Sequence, residues 1–307
     1  DTTAPTTTVS TVSFSNDTGT STTDFNTNIA SQTISGTLSS ALAAGEVVKV
    51  SLNNGTTWTT ATATEGENTF SLSGVTLTGN NTLQVRVEDA AGNTGTARTQ
   101  AYVLDTAAPT KTVSTLVFSS DTGTSTSDFI TNNASQTISG TLSATIATGE
   151  VVKVSLDNGA TWQTATTTVG ANTYSLSGVT LSSSNTLQVR VEDAAGNTGT
   201  ARTQAYVLDT TAPTTTVSTV VFSSDTGTST TDFITKTSAQ TISGTLSANV
   251  ASGEVVKVSL DNGTTWQTAT TTVGANTYSL SGVTLSGNNT LQVRVEDAAG
   301  NTGTART

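Results

Sequence analysis

The chain has 307 residues and a formal net charge of −11 at pH 7, and 33% of its residues are hydrophobic, 5% aromatic and 11% charged. This acidic balance excludes a general nucleic-acid binder, which needs a basic face. Cys and His are both absent, so disulfides and a structural zinc site of the usual Cys/His type are excluded as well.

The sequence repeats with a period of 104 residues. Trp58, Trp162 and Trp266 mark three successive copies without an insertion. We therefore predict three domains, at residues 1–104, 105–208 and 209–307, the third of which lacks the last five residues of the repeat. A repeat of this length is a normal size for a domain that buries its own core. Because the chain has no Met and opens in the middle of a motif, we expect it to be a piece of a longer array.

Short runs of alternating apolar and polar residues, bounded by turn residues, predict β-strands in every copy. In the first copy the predicted strands are, in chain order, Val9–Phe14, Gln32–Leu38, Glu46–Leu52, Trp58–Thr64, Asn68–Val75, Thr82–Glu88 and Thr94–Leu104. Leu83, Val85 and Val87 alternate with polar residues, which predicts that they face a core. No segment has a sustained helical period. Seven short strands in this length predict an all-β fold of three tandem immunoglobulin-like Greek-key sandwiches.

Proline occurs only near the start of each repeat, at Pro5, Pro109 and Pro213. Proline fixes its own backbone angle and biases the preceding residue towards extended geometry. Since the two internal junctions are short and contain no glycine, we predict that the modules lie end to end as a rod. A strand of eleven residues spans about 36 Å, so the three modules should reach roughly 110–130 Å.

Three motifs carry a resemblance to a known family. They are the opening Asp105-Thr-Ala-Ala-Pro109, the hairpin Asp157-Asn-Gly-Ala-Thr-Trp162, and the closing Val189-Arg-Val-Glu-Asp-Ala-Ala-Gly-Asn-Thr198. Together they resemble the bacterial immunoglobulin-like extender repeats of giant RTX adhesins, and the Thr-rich sequence and the period are similar to the extender region of a marine bacterial ice-binding adhesin.

The resemblance implies a stalk on the surface of a Gram-negative bacterium, which is exported by type I secretion and is rigid only when calcium is bound. A stalk of this kind projects a distal ligand-binding domain. Its partners are then the neighbouring repeats of the same chain, with no nucleic acid, no small-molecule substrate and no membrane insertion by this piece.

The residues themselves also point to calcium, which takes six to eight oxygen ligands from carboxylates, amides and backbone carbonyls. Most Asp residues lie in three loop motifs, in which Gly permits the tight turns that aim such ligands. The candidate Ca²⁺ ligands are Asp1, Asp17, Asp24, Asp89 and Asn93 in the first copy, Asp105, Asp121, Asp128, Asp193 and Asn197 in the second, and Asp209, Asp225, Asp232, Asp297 and Asn301 in the third.

Strand direction predicts which of these motifs meet. In a Greek-key sandwich the loop of Asp17 and Asp24 lies at the end of module 1 that faces module 2, and the loop of Asp193 and Asn197 lies at the opposing end of module 2. With Asp105 in the junction, four carboxylates would crowd one site, and metal binding would couple to stiffening and folding.

An alternative needs no metal, because Asp and Asn before Gly are ordinary turn residues. Asn132 becomes Lys236 in the third copy, so this position is not expected to be a side-chain ligand. Glu46, Glu150 and Glu254 are second-tier candidates.

The sequence also contains features of two other classes of function, an enzyme and a surface-binding module. Ser155, Asp157, Gly159 and Trp162 match the Asp-box pattern of sialidase propellers, but the pattern there is a structural hairpin, and no His or Cys is present for nucleophilic or acid–base chemistry. We therefore predict that the chain is not an enzyme. Ser- and Thr-rich faces can also bind carbohydrate or another surface, which is the alternative hypothesis; it would require exposed aromatic side chains or a concave pocket.

Overall fold

The computed structural model describes all residues from Asp1 to Thr307, and every regular element in it is a β-strand. It has no helix that is long and apolar enough to cross a membrane. The strands form two sheets in each of three successive modules, which we number module 1 (residues 1–104), module 2 (105–208) and module 3 (209–307). The prediction of an all-β fold with three tandem immunoglobulin-like modules is confirmed.

The strands have closely matching bounds in the three modules. Module 1 contains β1 (Val9–Phe14), β2 (Asn26–Thr27), β3 (Ser31–Leu38), β4 (Val47–Ser51), β5 (Thr59–Thr60), β6 (Thr62–Ala63), β7 (Thr69–Thr76), β8 (Asn81–Glu88) and β9 (Arg98–Leu104). Module 2 contains β10 (Val113–Phe118), β11 (Ile130–Thr131), β12 (Ser135–Leu142), β13 (Val151–Ser155), β14 (Gln163–Thr164), β15 (Thr166–Thr167), β16 (Thr173–Thr180), β17 (Asn185–Glu192) and β18 (Arg202–Leu208). Module 3 contains β19 (Val221–Phe222), β20 (Ala239–Thr245), β21 (Val255–Ser259), β22 (Gln267–Thr268), β23 (Thr270–Thr271), β24 (Thr277–Thr284) and β25 (Gln292–Glu296).

The two sheets of module 1 have the strand orders β1-β3-β7-β6 and β2-β9-β8-β4-β5, and module 2 repeats both orders with its own strands. Three features differ from the predicted strands. The segment predicted as Thr94–Leu104 is a strand only from Arg98 to Leu104, and Thr94 forms an isolated bridge with Glu88. The segment predicted as one strand, Trp58–Thr64, is two short strands on different sheets, because the chain crosses between the sheets at the buried Ala61. The short strand β2 was not predicted; it pairs with β9 in parallel, with Asn26 opposite Val103.

Each module encloses its own core between its two sheets. The inward residues predicted from alternation, Leu83, Val85 and Val87, are fully buried, as are their counterparts in module 2. Phe14 and Tyr102 lie edge to face at 5.8 Å between ring centroids, and Phe14 and Phe25 at 4.9 Å. Burial of a large apolar side chain of this kind contributes about 1.5–3 kcal/mol, so these rows supply much of the stability of a module with few aromatic residues.

Module 3 differs from the others along one edge. Arg306 and Thr307 occupy the first two positions of the strand that β9 and β18 form in modules 1 and 2, and only Arg306 pairs there, with Val293. A groove of about 850 Å³ lies there, lined by residues that include Val220, Phe222 and Phe233. Phe233 is 43% exposed, whereas Phe129 in module 2 is 8% exposed. The groove therefore lies along the sheet edge that β9 and β18 cover in modules 1 and 2.

Candidate metal centre at the module junctions

Each junction joins the far end of one module to the near end of the next. We call residues 17–24, 121–128 and 225–232 the acidic loops, and residues 89–93, 193–197 and 297–301 the glycine loops. The hydroxyl of Thr18, in the acidic loop of module 1, donates a hydrogen bond of 2.6 Å to the backbone carbonyl of Ala195, in the glycine loop of module 2. Thr122 and Ala299 repeat this contact at 2.6 Å in the second junction. The two kinds of loop thus meet at both junctions, as strand direction predicts.

Two carboxylates organise each acidic loop. In module 1, Asp17 Oδ2 accepts the backbone N–H of Phe25 at 2.9 Å, and Asp24 Oδ1 accepts the N–H of Asn26 at 3.0 Å. Phe25 has a φ of 61°, a left-handed conformation that is uncommon outside glycine. The bend turns the ring of Phe25 into the core and leads the chain into β2. The same bonds recur at Asp121, Asp128, Asp225 and Asp232.

The second oxygen of the first carboxylate has no partner. Asp17 Oδ1, Asp121 Oδ1 and Asp225 Oδ1 are all buried without a hydrogen bond. Burial raises the pKa of Asp17, and the negative charge of Asp24 raises it further; burial and the charge of Asp128 act in the same way on the pKa of Asp121. A carboxylate with a free oxygen and a second carboxylate beside it forms a setting in which a cation would stabilise the ionised form.

The glycine loops, in contrast, satisfy their own polar groups. Asp193 Oδ1 accepts the backbone N–H of Asn197 at 2.9 Å, and Asp193 Oδ2 accepts the Asn197 side-chain Nδ2–H at 2.9 Å. The same Nδ2 group donates to the carbonyl of Asp105 at 2.8 Å. Corresponding bonds link Asp89 with Asn93 and Asp297 with Asn301. At Asp89 these bonds, led by the Asn93 side chain, lower the pKa of the carboxyl.

The junction aspartates bond through both backbone and side chain. The N–H of Asp105 donates to the carbonyl of Thr27 in module 1 at 3.0 Å, and its Oδ1 accepts the N–H of Ala107 at 2.9 Å. Asp209 makes the equivalent bonds to Thr131 and Thr211, and Asp1 accepts the N–H of Thr3. Asp105 therefore lies between the acidic loop before it and the glycine loop after it.

The three motifs come together, but their carboxylates do not converge on one point. No group of three or more Asp, Glu, His or Cys side chains is placed to hold a metal ion. The four carboxylates predicted to crowd each junction therefore do not form a single cluster. Among the candidate ligands, Asp17, Asp121 and Asp225 each have a buried carboxylate oxygen without a hydrogen-bond partner, and each lies in one loop with a second carboxylate, Asp24, Asp128 or Asp232.

The second-tier glutamates are engaged in their own loops. Glu46, Glu150 and Glu254 each accept a backbone N–H from three residues earlier, at 2.7–3.0 Å. Glu150 also forms an ion pair of 2.5 Å with Lys111, which stands where module 1 has Thr7 and module 3 has Thr215. Glu150 is thus already neutralised by a side chain of its own module.

The Asp-box hairpin is a closed structural unit. Asp157 Oδ1 accepts the hydroxyl of Ser155 at 2.7 Å and the N–H of Thr161 at 2.8 Å, and Asp157 Oδ2 accepts the hydroxyl of Thr161 at 2.5 Å. These bonds, with the Thr161 hydroxyl first, lower the pKa of Asp157 to about 2. The indole of Trp162 packs against Arg190 of β17, whose guanidinium lies 3.9 Å from the ring centroid.

Comparison with known proteins decides the family. A model of the bacterial Ig-like domain matches residues 3–106, 107–210 and 211–307. The chain belongs to this family. A comparison with curated proteins found no match.

Three solved structures with tandem or surface modules are similar to these bacterial Ig-like domains. The chicken CNTN1 FN1-FN3 domains are 14% identical, with 97% of each chain covered and a TM-score of 0.36. The fibronectin(III)-like modules of Clostridium thermocellum CbhA are 13% identical over 65% of this chain and 94% of theirs, with a TM-score of 0.40. The BSP domain of a biofilm associated protein is 20% identical over 61% of this chain and 29% of its own, with a TM-score of 0.22. Likenesses this weak carry no argument about function.

Tandem bacterial Ig-like domains indicate an extracellular structural or surface-associated region, and folds of this kind are typically structural rather than enzymatic. In this chain the residues that join the domains include several that the motif analysis missed, namely Thr18, Gly19, Thr27, Ala195 and Gly196. Their contacts are made by backbone atoms and one hydroxyl. Only the position of the flanking Asp residues pointed to them.

Proposed function

We propose that the chain is part of the stalk of a large bacterial surface adhesin, in which each module is a spacer that holds a distal binding domain away from the cell. One observation carries this proposal. Both junctions have the same two hydrogen bonds. One is the bond of 2.6 Å from the Thr18 or Thr122 hydroxyl to the carbonyl of Ala195 or Ala299, and the other is the backbone bond of 3.0 Å from the N–H of Asp105 or Asp209 to the carbonyl of Thr27 or Thr131. Because successive modules contact each other in the same way at both junctions, the array keeps one direction, as a spacer requires.

Calcium at the acidic loops is the second part of the proposal. The unpartnered oxygen of Asp17 and the adjacent carboxylate of Asp24 fit a hard cation, which binds oxygen ligands only. When bound, the ion supplies positive charge that offsets the repulsion between the two carboxylates. Asp17 also holds the N–H of Phe25, so a stable Asp17 carboxylate keeps the acidic loop in the shape that contacts the next module.

The remaining predicted ligands have a supporting role in this proposal. Asp193 and Asn197 are bonded to each other, and Asn197 is bonded to Asp105. They fix the shape of the glycine loop against which the acidic loop rests. Because these residues are bonded to one another, we expect them to hold this surface in place and the acidic loop to supply the main ligands of the ion.

The compartment follows from the affinity expected of such a site. Extracellular calcium modules typically bind at about 0.1–1 mM, so these loops would be empty in the cytoplasm and loaded outside the cell. This fits secretion in a loosened state and assembly at the surface of a Gram-negative bacterium, as the resemblance to RTX adhesins implies. Catalysis and small-molecule substrates are no part of this role: the carboxylates of the Asp-box hairpins are held in their turns, and the groove of module 3 lies along the sheet edge that β9 and β18 cover in modules 1 and 2.

Limited proteolysis tests the proposal. The chain is digested in parallel with a chelator and with millimolar calcium, and the cleavage sites are mapped. We expect cuts in the acidic loops and in the junction residues 106–108 with the chelator, and protection of both with calcium. Identical digestion in the two conditions, with the junctions uncut, would favour a spacer that needs no calcium. Asp17→Asn should remain sensitive at its own loop in calcium, while the loop at Asp121 in the same chain becomes protected.

A further inference from the structure

The acidic loops touch the next module through backbone as well as through a side chain. A Cβ at Gly19 would lie 1.9 Å from the carbonyl oxygen of Ala194 and 2.9 Å from the carbonyl carbon of Ala195. No side chain fits in that space, so the backbones of the two loops are in direct contact there. A Cβ at Gly196 would in turn lie 2.9 Å from the N of Gly19. The glycines of the two loops therefore face each other across the junction.

The second junction has the same contact. A Cβ at Gly123 would lie 1.9 Å from the carbonyl oxygen of Ala298, and a Cβ at Gly300 would lie 2.9 Å from the N of Gly123. Module 3 carries the same loop at Gly227, where the nearest atom to a Cβ is the carbonyl oxygen of Ile234 at 3.9 Å. The chain thus contains two closed copies and one open copy of a single surface.

We propose that Thr18 and Gly19, and Thr122 and Gly123, form a latch surface whose partner is the glycine loop of the following module. The latch sets the mean orientation between modules by direct contact, whether or not an ion is bound, and an ion in the acidic loop narrows the motion about that orientation. The hydroxyl of Thr18 makes this contact directional, because it donates a hydrogen bond to a single acceptor in the next module. Its single proton goes to the carbonyl of Ala195 at 2.6 Å, since Asn28 Oδ1 is farther away at 3.1 Å.

This inference goes beyond the proposed stalk role, because calcium can fail to bind while the latch still holds. It also explains why small residues stand at 194–196: a larger side chain at Ala195 or Gly196 would separate the two backbones. Modules with no fixed contact are expected to move relative to each other. Removing the latch should therefore free one junction without unfolding either module.

The test uses the absence of Cys in the chain, which allows spin labels at introduced cysteines only. Labels at the exposed positions Thr64 and Thr168 report on the first junction, and labels at Thr168 and Thr272 report on the second. Pulsed electron spin resonance gives the distribution of each distance, in millimolar calcium and in chelator. In either condition we expect Gly19→Ala to widen the first distribution about twofold and to leave the second unchanged.

Gly227→Ala is the matched control, because Gly19 and Gly227 both have positive φ, at 90° and 121°, so that both variants introduce backbone strain. It should leave both distributions unchanged. Thr18→Val replaces the hydroxyl with a methyl group, so it removes the bond to Ala195 together with the bonds to Thr27 and Asn28 inside module 1. Thr226→Val is its control, because it removes the equivalent bonds to Thr235 and Lys236 inside module 3 and no bond to another module. Both variants should lower the melting temperature of their own module, but only Thr18→Val should widen the first distribution. Distributions for Gly19→Ala and Thr18→Val as narrow as that of the parent chain would overturn the latch, and so would equal widening by Gly227→Ala. A parent distribution that ignores calcium would count against the calcium site alone.

Discussion

Replacing Asp17 with Asn separates the two roles of this carboxylate. The amide oxygen of Asn retains an acceptor for the N–H of Phe25, now 2.9 Å from Asp17. The negative charge, and with it the site beside Asp24, is lost. Because burial and the charge of Asp24 raise the pKa of Asp17, ionisation of this group opposes folding in the calcium-free chain. The variant should therefore be at least as stable as the parent chain in chelator at neutral pH, but it should lose its response to calcium.

The size of that response follows from mass action. With a dissociation constant of about 0.1 mM, the tight end of the range for extracellular calcium modules, and calcium at about 10 mM, the ion is present at 100 times that constant and adds about 2.7 kcal/mol per site. For a module of about 100 residues, each kcal/mol shifts the melting temperature by roughly 4–8 °C. The melting transition of module 1 should therefore rise by about 10–20 °C with calcium in the parent chain and remain where it is in Asp17→Asn.

Scanning calorimetry with chelator and with about 10 mM calcium, 100 times a dissociation constant of about 0.1 mM, measures this shift. Asp157→Asn is the control, since module 1 already carries Asn53 at the corresponding position, with its Oδ1 accepting the N–H of Thr57 at 2.8 Å. Asp157→Asn should keep the full calcium response. Equal shifts in the parent chain and in Asp17→Asn would refute the assignment of the ion to the acidic loop.

Two further predictions concern stability without calcium. Tyr174 donates its hydroxyl to the carbonyl of Thr115 at 3.0 Å, and module 1 has the buried Phe70 in its place; Phe70→Tyr should therefore gain about 1 kcal/mol, seen as a higher melting temperature, and a loss of stability would show that the space cannot hold the hydroxyl. The pKa of Asp157 is lowered to about 2, against 3.8 for an unperturbed carboxyl. The ionised carboxylate therefore stabilises the folded module fully above about pH 4, and this stabilisation is lost as the pH falls towards about 2. Melting of module 2 should then fall more steeply between about pH 4 and pH 2 in the parent chain than in Asp157→Asn, and equal slopes would show that the hairpin bonds do not act through ionisation. The raised pKa of Asp17 has the opposite effect on stability. In chelator, protonated Asp17 favours the folded module at low pH, and this stabilisation is lost as the pH rises through the raised pKa.

Strand alternation was sufficient to predict most of the fold. Buried Val85 and Val87 alternate with polar residues on a sheet that has one solvent-exposed face. This pattern can be recognised in the sequence without knowing which distant residues are in contact. The pattern fails where the chain changes sheets. At Ala61 a strand crosses from one sheet to the other, and at Phe25 the backbone takes a left-handed turn into β2. Neither event leaves a period-two pattern, because each depends on the geometry of the opposite sheet.

The candidate site could be predicted at the level of loops and not of atoms. Strand direction alone places the loop of Asp17 against that of Asp193. It could not distinguish a carboxylate bonded within its own turn, such as Asp193, from one with a buried free oxygen, such as Asp17. The latch surface at Gly19 could not be predicted either, because contacts between backbone atoms leave no pattern of residue types in the sequence.

Small-angle X-ray scattering of the 307-residue chain tests the central claim, an end-to-end spacer stiffened by calcium, most directly. Three modules in line should give a maximum dimension of roughly 110–130 Å in millimolar calcium. In chelator the distribution of interatomic distances should broaden, because the acidic loops that join the modules lose their support. A compact particle in calcium, well short of that length, would contradict the account.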